Sequence, residues 1–259
     1  MVRGLDVFRQ YFAAHADQFV LIGGIAATLA MEDAGLEFRA TKDLDIVLHI
    51  EALKPEFGEV FWKFVEEGGY EIRQASTGKP MLYRFQKPKN ERFPAMLELF
   101  CRMPDDITLI DGSRLTPIPL DEALASLSAI LLDDDYYRFI MEGRKESDGL
   151  PWVGEDRLIP LKASAYLDLS ARQAKGEPVD TKNIRKHAND VLRLSQLLTS
   201  ETRVPLPPRI MEDLKRFLEG VASDKSIDPK SLKIDGTIAE IIGRVAQAYE
   251  LMPQDRKAT

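Results

Sequence analysis

The stretch from residue 19 to residue 50 reads FVLIGGIAATLAMEDAGLEFRATKDLDIVLHI. Four apolar residues at its start predict a short strand that ends at Gly23 and Gly24. The pattern then predicts a helix over 25–34 and a second strand over 44–50. Glycine lets backbone N–H groups approach a phosphate closely, although the same pair could form an ordinary tight turn. The stretch therefore predicts an α/β unit with a candidate phosphate-binding turn.

Two aspartates lie at the start of the second predicted strand. Strand alternation places Asp43 and Asp45 on the same face, with Cβ atoms about 6–7 Å apart. Two carboxylates on one face of an apolar strand repel each other, and a divalent cation such as Mg²⁺ (or Mn²⁺) removes that conflict. The alternative is that Asp43 caps the entry to the strand while Asp45 pairs with a lysine. The two aspartates alone leave both interpretations open.

A third carboxylate is expected on a neighbouring strand. In the run PAMLELFC, residues 94–101, Glu98 points away from the face that Leu97 and Leu99 share. A lone carboxylate on an apolar strand is costly to bury unless it is paired or ligated. Glu98 is therefore predicted as the third metal ligand, and the alternative is a partly exposed glutamate on an edge strand.

The rest of the first 120 residues alternates helical and strand patterns. Helices are predicted over 5–15 and 53–67, and further strands over 70–75, 81–86 and 94–101. This alternation favours an α+β or α/β fold with a mixed sheet and flanking helices.

The pattern changes after Pro119. A short strand is possible at 136–141, and four helices are predicted over 160–174, 180–199, 207–222 and 236–251. The sequence therefore predicts an α/β lobe over 1–118 and a mainly helical lobe over 119–259.

The composition is that of a folded globular protein. The 259 residues are 44% hydrophobic and 30% charged, which argues against disorder and against a coiled coil. The lone Cys101 excludes an intrachain disulfide. The longest uncharged stretch, residues 18–31, is too short to span a bilayer, and the N-terminus shows no apolar signal core. We therefore expect a cytoplasmic protein that does not contact a membrane.

The charge pattern limits the partners. A net charge of −7 disfavours indiscriminate phosphate binding. One segment is nevertheless rich in basic residues: Arg73, Lys79, Arg84, Lys87, Lys89 and Arg92. These residues indicate either a solvated hairpin edge or a surface that faces phosphates.

Together these motifs resemble the nucleotidyltransferase superfamily of the DNA polymerase β type. The shared pattern is a hydrophobic strand, Gly-Gly, a spacer, and then Asp-x-Asp followed by an apolar strand. Within that superfamily the sequence is most similar to the AbiEii/AbiGii group of toxin-like proteins, over 5–115 well and over 157–194 loosely. The spacer, 25–42, is longer than in the smallest members of the superfamily.

The resemblance implies that 1–118 form the catalytic lobe and that the helical lobe, 119–259, completes the nucleotide cleft. Lys162 matches a lysine in the first helix of such lobes, and Lys186 with Asp190 matches a basic residue one turn before an aspartate. The resemblance implies that Lys162 contacts the triphosphate, and a change to alanine is then expected to leave stability nearly unchanged. The alternative for Lys186 and Asp190 is an exposed i,i+4 ion pair opposite the apolar face of its helix.

The resemblance implies a metal-dependent enzyme that moves NMP from an NTP to an acceptor hydroxyl. Asp43, Asp45 and Glu98 would hold Mg²⁺ or Mn²⁺, while Thr41 and Lys42 would border the triphosphate beside the two glycines. The implied acceptor is RNA, such as the tRNA 3′ end, with a cognate antitoxin as protein partner. Alternatives are the same chemistry on a small molecule, as in aminoglycoside nucleotidyltransferases, or a non-catalytic binding module of the same fold.

Overall fold

The computed structural model describes residues 2–72, 82–100, 130–131 and 133–251. The chain forms two compact units, the first comprising Met1–Leu132 with Ile140–Gly154, and the second comprising Asp133–Phe139 with Glu155–Thr259. The predicted boundary at residue 118 lies outside the described residues. The first unit includes a later segment that was expected in the helical lobe.

The first unit is built on one mixed sheet, which has seven strands in the described residues. In chain order they are β1 (Phe19–Ile22), β2 (Asp43–Leu48), β3 (Glu71–Ile72), β4 (Leu82–Gln86), β5 (Met96–Phe100), β6 (Arg144–Ser147) and β7 (Leu150–Val153). Their spatial order is β3-β4-β5-β2-β1-β7-β6. The β2–β5 and β1–β7 pairs are parallel, and the other neighbours are antiparallel. The predicted mixed sheet is confirmed, and positions 73–75 of the predicted third strand lie outside the described residues.

Three helices in the described residues belong wholly to this unit: α1 (Leu5–Phe12), α2 (Gly23–Asp33) and α3 (Pro55–Gly68). The helix predicted to reach His15 becomes a 3-10 turn after Phe12, because His15 has non-helical φ/ψ of −120° and 20°. Phe8 and Phe12 stack at 4.4 Å, and Phe8 meets Phe64 of α3 edge-on at 5.6 Å. This buried aromatic cluster attaches α1 to α3 and supports the sheet behind the site.

Residues 134–153 differ from the prediction. The strand expected at 136–141 is wrong, because the structure has a helix there, α4 (Asp134–Glu142). Asp133 Oδ1 accepts hydrogen bonds from the backbone N–H groups of Asp135 and Tyr136, so the acidic run caps the start of this helix. The hairpin β6–β7 follows and joins the sheet beside β1, where Leu21 is opposite Trp152.

The second unit is mainly helical, as predicted. Its four long helices are α5 (Glu155–Ala174), α6 (Thr181–Leu194), α7 (Pro208–Ser223) and α8 (Ile238–Ala248). The side chain of Asp180 caps α6, and Thr237 with Glu240 forms a capping box on α8. Helix α5 packs against both α6 and α7. Among the helices of the described residues, none combines the length and the apolar character that a bilayer span requires.

Candidate functional site

The central strands place three charged side chains in one row. Asp45 of β2 lies directly opposite Glu98 of β5, and Arg84 of β4 lies opposite Glu98 on its other side. Asp43 precedes Asp45 by two residues and is opposite Met96, so it projects from the same face. The structure therefore brings the three predicted carboxylates to one face of the sheet.

Two of these carboxylates are buried together. Asp45 is 9% exposed and Glu98 is 4% exposed. The pKa of Glu98 is raised from 4.5 to about 10, mainly by burial and then by the nearby charge and hydrogen bond of Asp45. The positive charge of Arg84 opposes this rise, and the negative charge of Asp43 adds to it. Adjacent buried carboxylates are stable only when a proton or a cation lies between them. The site thus favours the binding of positive charge.

The two glycines form the first turn of α2, immediately after β1. Gly23 has φ +67°, in the left-handed region that favours glycine, and a Cβ at this position would overlap Oδ2 of Asp45. The backbone N–H of Gly24 donates to the same oxygen at 3.3 Å. The glycines therefore permit a contact between helix and carboxylate that no other residue would allow without displacement.

The segment before β2 borders this turn. A Cβ on Gly24 would lie 2.6 Å from Oγ1 of Thr41, so the Thr41 side chain lies against the helix start. Lys42 is exposed. Thr41 also lines a cavity of about 360 Å³, together with Thr28 and Arg39. Thr41 thus lies beside the glycine turn, and the expectation that Thr41 and Lys42 border a triphosphate stays a prediction.

Arg84 was not predicted as a site residue. Its Nε and Nη2 both lie 2.9 Å from Oε1 of Glu98, and its side chain is only 18% exposed. Of the two alternatives for the basic segment, the solvated hairpin edge does not describe Arg84, because β4 lies between β3 and β5. The sequence did contain a signal, since pairing the strands 82–86 and 96–100 in antiparallel register brings Arg84 opposite Glu98.

The remaining basic residues of that segment lie elsewhere. Lys87, Lys89 and Arg92 are exposed, and Lys87 Nζ lies 3.3 Å from Glu71 Oε2. Arg73 and Lys79 lie outside the described residues. Among the described residues, Lys87, Lys89 and Arg92 are therefore the ones to which the prediction of a phosphate-facing surface still applies.

The carboxylate oxygens that share this sheet face are ligands that suit a hard divalent cation, and a backbone N–H group lies beside them. In the described part of the chain, no group of three or more His, Cys, Asp or Glu side chains could hold a metal ion in its present conformation. Glu98 is in contact with Arg84, and Asp45 accepts a hydrogen bond from the backbone N–H of Gly24. The residue types and the sheet face that they share fit Mg²⁺ or Mn²⁺.

The second unit contains a buried ion pair between α5 and α6. Lys162 Nζ lies 2.9 Å from Oδ2 of Asp190, with the two side chains 6% and 0% exposed, and Arg193 Nη1 lies 3.8 Å from Oδ1. The interpretation of Asp190 as an exposed residue is wrong, because α5 covers this side of α6. Lys186 is exposed. Lys162 forms an ion pair with Asp190 in this structure. The contact of Lys162 with a triphosphate stays a prediction.

The candidate site is defined by its own geometry: three carboxylates, a guanidinium and a glycine turn within the first unit. No family model matches the chain, and no curated protein matches it either.

Proposed function

We propose that the protein is a metal-dependent nucleotidyltransferase that moves NMP from an NTP to an acceptor hydroxyl. The observation that carries this proposal is the direct pairing of buried Asp45 with buried Glu98, with Asp43 on the same face. The glycine turn adds backbone N–H donors next to the carboxylates. Carboxylates beside an amide-lined helix start suit a cation together with the phosphate groups that it accompanies.

Each residue would have a separate task in this chemistry. Asp43 and Asp45 would hold Mg²⁺ or Mn²⁺, and Glu98 would complete the ligand set. When bound, the ion would neutralise phosphate charge and polarise the reacting phosphate. The Glu98 carboxylate, once freed from Arg84, would help to deprotonate the incoming hydroxyl.

The triphosphate would lie along the turn between β1 and α2. The N–H of Gly24 donates to the Asp45 carboxylate, which supports a phosphate position at this helix start beside the proposed metal ligands. Exposed Lys42 would offset the phosphate charge, and the Thr41 hydroxyl would border it. In the second unit Lys186 is exposed and remains a candidate contact, whereas Lys162 would act mainly through Asp190.

For the acceptor we propose RNA, with the tRNA 3′ end as the first candidate and a cognate antitoxin as protein partner. The support is the family resemblance together with exposed Lys87, Lys89 and Arg92. Each contact with a phosphate adds a slope of roughly −0.7 to −0.9 to the logarithmic salt dependence of binding.

The acceptor can be tested with α-labelled NTPs, total tRNA and a set of small amines and sugars. RNA labelling should be lost at moderate salt and should fall in the double variant Lys87→Glu/Lys89→Glu. The matched control Lys225→Glu/Lys230→Glu makes the same charge change at exposed lysines of the second unit and should label RNA normally. Label that appears only on a small acceptor would replace the RNA proposal by small-molecule modification. NTP binding without any transfer would favour a non-catalytic module.

A further inference from the structure

We propose that Arg84 is a built-in competitor of the divalent cation: it holds Glu98 in the metal-free protein and thereby limits the affinity of the carboxylate site for metal. The inference rests on the proposed function, because it concerns regulation of the same site. It adds a residue that the family pattern does not include.

The geometry places the Arg84 guanidinium directly against Glu98, one of the proposed metal ligands. Both Nε and Nη2 of Arg84 direct their N–H groups to the single oxygen Oε1 of Glu98. The Glu98 side chain is 5% exposed, so little water competes for that oxygen. A cation that used Glu98 would have to displace the guanidinium or accept its repulsion at close range.

Arg84 also stabilises the state that lacks metal. Without it, Asp45 and Glu98 would share one buried row with no positive charge opposite either of them in that row. An interaction that is present only in the free state must be given up when ligand binds, so it weakens binding by the same free energy. Removing the Arg84 charge should therefore lower the stability of the metal-free protein and increase its affinity for metal.

A purely structural role predicts a different outcome. If Arg84 only oriented Glu98 for the metal, its removal would weaken both stability and metal binding. The two roles are therefore separated by the sign of the change in metal affinity, whichever way stability moves.

The test is a Mn²⁺ titration followed by electron paramagnetic resonance of the free ion, on the full chain. Arg84→Gln removes the charge and is expected to bind Mn²⁺ at least about tenfold more tightly than wild type. Arg84→Lys keeps the charge and should restore an affinity close to that of wild type. Arg144→Gln removes one positive charge from β6, at the far edge of the same sheet, and should bind like wild type. Asp45→Asn combined with Arg84→Gln should abolish the gain.

The outcomes separate this inference from the proposed function. If Asp45→Asn abolishes Mn²⁺ binding but Arg84→Gln binds as wild type or more weakly, the role of Arg84 is overturned and the metal site stands. If Asp45→Asn binds Mn²⁺ as well as wild type, the ion lies elsewhere and both proposals fail. Absence of binding in every variant would likewise overturn both.

Discussion

At the scale of single residues, the site depends on the contact between Gly23 and Asp45. Strand alternation was sufficient to predict that Asp43 and Asp45 share a face, and the apolar neighbours of Glu98 predicted its direction. Arg84 escaped prediction because its role depends on pairing between two strands, which the sequence of β4 alone does not reveal. Local periodicity thus identified the acidic residues but not Arg84, the positively charged residue opposite Glu98.

Gly23→Ala should weaken Mn²⁺ binding by more than the strain of its left-handed backbone can explain. Gly35→Ala is the matched control, because Gly35 also has a positive φ of +71° but a Cβ there would meet nothing within 4 Å. Both variants should lose about 1–2 kcal/mol of stability from the left-handed backbone. Only Gly23→Ala should also lose Mn²⁺ binding, since its methyl group displaces Asp45. Thermal melting and the Mn²⁺ titration measure the two effects, and equal Mn²⁺ affinities would contradict the proposed role of the contact.

Glu98 should make the stability of the metal-free protein depend on pH. Its pKa rises from 4.5 to about 10 in the folded protein, so between these values the folded state holds a proton that the unfolded state has released. The stabilisation is complete below the lower value and is lost as pH rises through the window, by up to about 1.4 kcal/mol per pH unit. Urea unfolding with chelator at several pH values should show a smaller decline in Glu98→Gln than in wild type. Parallel profiles would show that Glu98 is already ionised.

At the scale of secondary structure, the helices of the second unit followed their periodicity, but the environment of α6 did not. A helical wheel divides residues into two faces, and it assigned Asp190 to the polar one. The structure instead covers Asp190 with α5 and places Lys162 beside it. The wheel could not reveal this because a buried ion pair between helices looks like two ordinary surface charges in sequence. Helix α4 was not predicted either. Its aromatic residues favour a strand in the sequence pattern, whereas Asp133 caps the start of a helix there.

Lys162→Met should therefore destabilise the protein strongly, contrary to the expectation from sequence. It leaves Asp190 fully buried without its nearest partner, and breaking such a pair typically costs about 3–5 kcal/mol. The double variant Lys162→Met/Asp190→Leu should recover most of this loss, and Lys186→Met at an exposed position should change stability by less than about 0.5 kcal/mol. Urea unfolding measures all three. A loss in Lys162→Met no larger than in Lys186→Met would show that the pair is not a stabilising contact.

At the scale of the whole molecule, the sequence predicted a mixed sheet and a run of helices, and the structure has both. The mixed sheet and the helical unit follow from apolar periodicity over many residues. The return of the chain through β6 and β7 could not be predicted, because the parallel partner of β1 lies more than a hundred residues away along the chain. The position of a strand in the sheet depends on pairings between residues that are far apart in the chain, and a local sequence pattern does not show such pairings.

Nucleotidyl transfer by the first unit's carboxylates is tested most directly by comparing two labels on the same NTP. This reaction places the α-phosphate on the acceptor and releases the β- and γ-phosphates as pyrophosphate. With Mg²⁺ present, wild type should transfer the α label and not the γ label. Asp45→Asn should remain folded in thermal melting while α transfer falls at least about a hundredfold. Transfer of the γ label, or equal α transfer by wild type and Asp45→Asn, would contradict the account.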